Sequence, residues 1–237
     1  MSAITDAITW LNDPLNWTNP DGIVVRLGEH LWIAGASIAL GCAVAWPIGL
    51  WLGHIGRGGQ VLTSLANVTR AIPIIALLMI LPLTKVGFGQ PAIILSLAFF
   101  TFAPLLSDAY LGVRQVDPEV RDAARGMGLN PWQVLFRVEL PLAVPYLAAG
   151  FRTTAVQVVA TTTLASFVNG GGLGMIISRG FGLGMNAGGG QLLAGGLLVA
   201  LLCLAVEALL AVGQRLVTPA PLRARAPLRT RRVVINT

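Results

Sequence analysis

Residues 31–52 carry no charge over 22 consecutive positions. A helix that is apolar on every side has no face to give to water, so it is either enclosed by a large protein or crosses a membrane. The run matches the ~20 residues needed to span a bilayer core of about 30 Å, and it predicts a membrane-spanning helix. Four further stretches, 60–83, 90–113, 142–163 and 191–213, are comparably long and apolar, with glycine or proline inside them or at their margins as membrane helices tolerate. Only 11% of the 237 residues are charged, against about a quarter in an ordinary globular domain. A soluble fold is excluded, and the sequence reads as an all-α integral membrane protein of about five transmembrane helices. Cys42 and Cys203 each lie in a long apolar run, so their number and spacing give neither a disulfide framework nor a zinc site.

The bases set an expected orientation, because cytoplasmic loops near the spans accumulate Lys and Arg. Eleven bases fall in one set of segments: Arg57, then Arg114, Arg121, Arg125 and Arg137, then six between Arg215 and Arg232. The alternate set holds only Arg26, Lys85 and Arg179. This asymmetry places the N-terminus outside and the C-terminus in the cytoplasm. The first 26 residues carry Asp6, Asp13, Asp21 and Arg26, with neither a basic n-region nor a compact apolar core, so the first span is expected to do the targeting. The basic tail follows a span directly and has no interleaved aromatic residues for base stacking. Anionic lipid headgroups account for it, and no nucleic-acid partner is expected.

The segment between the third and fourth spans is the most specific part of the chain. Asp117 is a good N-cap, Pro118 sits at the first helical position, and Glu119 complements the helix dipole. Val120, Ala123, Ala124 and Met127 recur at helical spacing and predict one small apolar face, with Arg121, Asp122 and Arg125 on its polar edge. Gly128 ends that helix. Asn130-Pro131-Trp132-Gln133 repeats the start signal in capping-box form and leads into an apolar set of Val134, Leu135, Phe136 and Val138 before Pro141. An amphipathic pair lying on the membrane is one reading. The Ala/Gly character of the face instead suits close approach of another protein.

Asp122-Ala123-Ala124, three residues, Gly128, nine residues, Val138, one residue and Leu140-Pro141 resemble the EAA loop of ABC importer permeases, with Asp and Val where that family usually has Glu and Ile. The resemblance runs from about Gly28 to Gly213 and sharpens toward permeases of osmoprotectant importers, which move glycine betaine, choline or carnitine. Residues 65–73, 121–145 and 165–174 carry it. The subfamily often has Gln-Thr-Ile-Pro where this chain has Arg70-Ala71-Ile72-Pro73. The resemblance implies the transmembrane core of a type I importer, with Asp122, Ala123, Ala124, Gly128, Trp132, Leu140 and Pro141 coupling it to ABC ATPase subunits. It also implies a second permease, the same or a similar chain, and an extracytoplasmic substrate-binding protein. No cofactor is expected on this chain, with ATP and Mg held by the partner ATPase.

Arg70 and Arg152 lie within apolar stretches, where a charge costs about 2.5–3.5 kcal/mol and demands a partner or water. They either flank the translocation path, or snorkel to the cytoplasmic interface or pair with an acid such as Glu207 or Asp108. Pro73 and Pro82 bracket a short stretch that reads as a broken helix beside the path or as a simple kink. Gly170, Gly171, Gly172 and Gly174 open an external glycine-rich stretch expected to hold a re-entrant turn or short helix where the binding protein docks. Gly49 and Gly53 are spaced for close helix packing.

Enzymatic readings find little support. A Walker A loop needs Lys before Ser or Thr, and the only lysine, Lys85, precedes Val86. His30 and His54 are 24 residues apart, about 36 Å along one helix, too far to share a metal there. Neither a nucleophile elbow nor an H-E-x-x-H run occurs. The chain therefore divides into an extracytoplasmic N-terminal segment (1–26), a transmembrane domain (27–214) with its coupling segment at 117–141, and a basic cytoplasmic tail (215–237). Two other readings stay open: an ABC permease for another small solute such as an amino acid, and a channel or scaffold with no ATPase.

Overall fold

The computed structural model describes residues 3–218, without the side chains of Thr63 and Arg70. The basic tail beyond Thr218 lies outside the described residues. Every regular element among them is helical: α1 (Ala3–Asn12), α2 (Leu15–Thr18), α3 (Ile23–Ile55), α4 (Gly59–Ala71), α5 (Ile74–Ile80), α6 (Gln90–Arg114), α7 (Pro118–Gly126), α8 (Pro131–Val134), α9 (Leu140–Thr162), α10 (Gly174–Gly182) and α11 (Met185–Val217). A 3₁₀ turn, Leu81–Leu83, follows α5, and another, Thr163–Val168, follows α9. One π turn, Leu135–Glu139, joins α8 to α9.

Four helical runs, Leu15–Ile55, Gln90–Arg114, Pro131–Val168 and Met185–Val217, are long and apolar enough to cross a bilayer. The stretch expected to be the second span is a bent pair instead, Gly59–Thr69 and Ile74–Leu83, with 74° between them, and makes a fifth crossing if the pair counts as one. Pro73 supplies the break. It has no amide hydrogen to give the helix and pushes Ile72 into extended backbone at φ −79°, ψ 118°. At the N-terminus, α3 begins at Ile23, inside the segment read as external, and α1 was not foreseen there. It packs on α11 so closely that a Cβ on Gly190 would lie 2.7 Å from the Asp6 backbone.

Among lipid tails, burying an apolar side chain gains little, so helices associate where small residues let backbones approach. Gly41, Gly49 and Gly53 do this between α3 and α6. A Cβ on Gly49 would stand 2.6 Å from both Ala109 Cβ and the Leu106 carbonyl oxygen, and one on Gly53 would stand 2.9 Å from the Tyr110 oxygen. The core continues where α3 meets α9, through Ala34, Ile38, Ala155 and Val158, and where Ile33, Leu78, Ile93, Leu97 and Ala165 converge. By contrast α11 turns Leu197, Leu201, Leu204 and Leu209 outward, a face for lipid or another chain.

Candidate functional site

The segment 117–141 is built from local signals. Asp117 accepts the Glu119 amide at 2.9 Å, capping α7 behind Pro118. At the other end the Leu129 amide reaches the Ala124 carbonyl at 3.3 Å and the Gly128 amide reaches Arg125 at 2.9 Å, a Schellman closure with Gly128 left-handed at φ +83°. Asn130 and Gln133 cap α8 reciprocally, each side chain accepting the other's amide at 2.9 Å.

The structure splits the apolar set expected to meet another protein and buries one residue of its polar edge. Arg121 and Ala124 are buried, whereas Val120, Ala123 and Met127 are exposed beside Asp122 and Gly128. The cause lies outside α7. Glu139, wholly buried at the end of the π turn, holds Arg121 Nε 3.1 Å from Oε1, and its Oε2 lies 2.6 Å from His54 Nδ1 at the end of α3. The Arg121 guanidinium also donates to the Val113 carbonyl in the last turn of α6. The π turn buries Leu135 and Glu139 and turns Phe136 out. It stacks on Trp132 with ring centroids 6.0 Å apart, and Trp132 stacks on Trp51 of α3 at 4.8 Å. Leu140 and Pro141 then open α9.

Sequence reasoning did not single out His54 and Glu139 for this role. A glutamate just ahead of an apolar span was the available signal, since an acid there needs a partner.

The residues proposed for the path separate. Pro73 marks the break between α4 and α5. The Arg70 backbone belongs to α4, and its side chain lies outside the described residues. Arg152 faces α11, with Nε 3.3 Å from Glu207 Oε1 and Nη1 donating to Gln214 Oε1 at 2.8 Å. This is the acid-pairing alternative. A polar cleft of about 390 Å³ lies elsewhere, between α6 and α9. Positions 104, 107, 108, 111 and 112 of α6, with Gln115 just after it, face 146, 149, 150, 153, 154 and 157 of α9, the same helical spacing on both walls. Ser107, Asp108 and Gln115 meet Tyr146, Thr153 and Gln157 across it.

The external glycines are interior. Gly170, Gly171, Gly172 and Gly174 are all buried, against α3, α6 and the turn after α9. Glu29 accepts the Gly172 amide at 2.9 Å. His30 Nδ1 accepts the Leu173 amide at 3.2 Å while Nε2 donates to the Val159 carbonyl at 2.8 Å, which fixes the Nε2–H tautomer. Phe167, Phe181 and Leu183 are exposed around this turn. Arg179 of α10 reaches Asp21 at 2.9 Å, and Arg26 bridges Asp21 and Glu29, tying α10 to the start of α3.

The sequence matches the family of binding-protein-dependent transport system inner membrane components over residues 45–218. It is 34% identical to the glycine betaine/carnitine/choline transport system permease protein OpuCB of Bacillus subtilis over 70% of this chain and 76% of that one. Identity to the carnitine transport permease protein OpuCB of Listeria monocytogenes is 36%, over 70% and 75% of the two chains. The fold superposes on an inward-facing structure of the MetNI methionine ABC transporter with a TM-score of 0.75 at 25% identity, covering 88% of this chain and all of that one. This chain belongs to the binding-protein-dependent transport inner membrane components, the multi-pass, non-catalytic permease subunits of bacterial ABC importers.

Proposed function

We propose that this permease forms the path for an osmoprotectant, glycine betaine, choline or carnitine, and that a separate ATPase pair drives it by docking on α7 and α8. The observation that carries the docking is the outward face of α7. Val120, Ala123 and Met127 are exposed and apolar beside Gly128, on a helix capped at both ends. An exposed apolar patch rimmed by the charged Asp122 and Arg125 suits a protein groove. The substrate class rests on the relatives, three of which carry choline, carnitine or glycine betaine in their names at 34–36% identity.

In this reading the α7 end is cytoplasmic, as the distribution of arginines favours. A second permease, the same or similar, closes the open side of the α6–α9 cleft, and the solute passes along its hydroxyl and amide groups. These polar walls are no aromatic cage, and transient contact suits a path better than tight capture. High affinity belongs to an extracytoplasmic binding protein, which docks on the face around Phe167 and Phe181.

The test is purification of the tagged full-length chain from native membranes, then reconstitution in proteoliposomes. Co-purification of a Walker A ATPase is the expected result, with ATP-dependent uptake of labelled glycine betaine that choline and carnitine compete and methionine does not. The fold match to a methionine importer makes methionine the informative competitor. Competition by methionine alone would reassign the substrate, and uptake indifferent to ATP would indicate a channel.

A further inference from the structure

We propose that Glu139 is the joint through which movement of α7 reaches the transmembrane helices, a positioning residue that touches neither solute nor nucleotide. The proposal rests on the reading of α7 as the ATPase contact.

One carboxylate joins four elements. Glu139 ends the π turn that opens α9, pairs with Arg121 of α7 and with His54 of α3, and through Arg121 is linked to the Val113 carbonyl of α6. It has no exposed surface, and the Arg121 and His54 side chains are only 9% and 6% exposed. A buried charge stripped of its partner is far costlier than an exposed one. Withdrawal of Arg121 with a shifting α7 would leave Glu139 with His54 alone, so the low-energy response is for the cluster to move as a body. The Asp122–Arg125 pair on the same helix makes the contrast. At 3.6 Å and more than half exposed it is screened by water and transmits nothing. A second tie runs in parallel, because Trp132 of α8 stacks on Trp51, one turn before His54.

The adjoining π turn is the compliant part. Its wide ring, closed by the Leu140 amide on the Leu135 carbonyl, is a helical geometry that occurs mainly as single turns, often at functional sites. The turn therefore gives on the α8 side of Glu139, so that Glu139, joined directly to α9 at Leu140, can follow Arg121 and carry α9 with it. This is a discrete element that two sites can bias, which long-range coupling requires.

The experiment uses the full complex of both permeases and ATPase in proteoliposomes with binding protein, comparing wild type with Glu139→Gln, which keeps the shape and removes the charge. The expected result is a split. The ATPase still co-purifies and hydrolysis stays within about twofold, but stimulation by the binding protein is lost and uptake falls at least about fivefold, the range of ordinary coupling energies. His54→Gln should show the same split, and the double variant should be no worse than either single one, as for groups that act as a unit. Wild-type uptake by Glu139→Gln overturns the proposal. So does a parallel fall of hydrolysis and uptake with a lower melting temperature, or failure of both single variants to accumulate, since each assigns the cluster a purely structural role. Absence of ATPase from the wild-type preparation would instead sink the reading of α7, a different outcome.

Discussion

Glu29 accepts a hydrogen bond from the Gly172 amide at 2.9 Å across 143 residues of sequence, and so fastens the turn before α10 to the start of α3. Gly171, next to it, is left-handed at φ +86°, and a Cβ there would lie 2.7 Å from Glu29 Oε2. Gly171→Ala should cost about 1–2 kcal/mol from backbone strain alone, and displacement of Glu29 adds to it. Thermal unfolding of the detergent-solubilised protein checks this. A melting temperature equal to wild type would mean that the turn is not held as described.

Gly128 separates folding from docking. Its φ of +83° makes Gly128→Ala destabilising by about 1 kcal/mol, whereas Gly128→Asn, a residue that tolerates this backbone, should lose less. A Cβ there meets no atom within 4 Å, so strain is the only cost in the isolated chain. Ala123→Arg, on the exposed face, should leave stability within about 0.5 kcal/mol of wild type and still abolish co-purification of the ATPase. Retention of the ATPase by Ala123→Arg would move its contact elsewhere.

Arg152→Gln tests whether that arginine serves transport. The ion pair with Glu207 is partly exposed, with side chains 34% and 42% accessible, so its loss should cost no more than about 1 kcal/mol. Uptake should be near wild type, because Arg152 faces α11 and the polar cleft opens on the other side of α9. A strong transport defect at normal stability would place the path between α9 and α11.

The α6–α9 cleft itself can be blocked. Thr153 is exposed along its wall, so Thr153→Trp should fill the space with little effect on folding and stop uptake, measured in proteoliposomes with ATPase binding as the control for assembly. Gly150→Ala acts differently. Its Cβ would come within 2.2 Å of Asp108 Oδ2 and 2.4 Å of Cγ, forcing the helices apart at a cost of about 1–3 kcal/mol.

The parts legible in the sequence were those with short-range causes. Asp117 before Pro118 and Asn130 ahead of Gln133 announce their helices because a cap and its partners lie within three residues. Pro73 announced the break, and Gly49 and Gly53 announced the close approach of α3 to α6. The inward face of α7 was not legible, because Arg121 is drawn in by Glu139, whose other partner, His54, is 85 residues from it. Glu139 also occupies the one unspecified position before Leu140-Pro141 in the coupling signature, where a pattern search looks past it. The glycines at 170–174 looked like a surface because loops usually are. Their burial depends on Glu29 and His30, at the far end of the chain's first long helix.

The π turn at Leu135–Glu139 has one more consequence. An α-helix advances about 100° per residue, so the number of residues between the Asn130 cap and Tyr146 sets the rotational phase of everything that follows. Six polar and small positions of α9 line up with the α6 wall only at the present count. Deletion of one residue from 135–139, with the cap and the Pro141 entry intact, would swing Thr153 and Gln157 about a quarter-turn off the cleft and carry Arg152 away from Glu207. The turn therefore works as an indexing tooth: a shift of one residue at one end of the bundle decides which stripe of a 23-residue helix looks into the cleft.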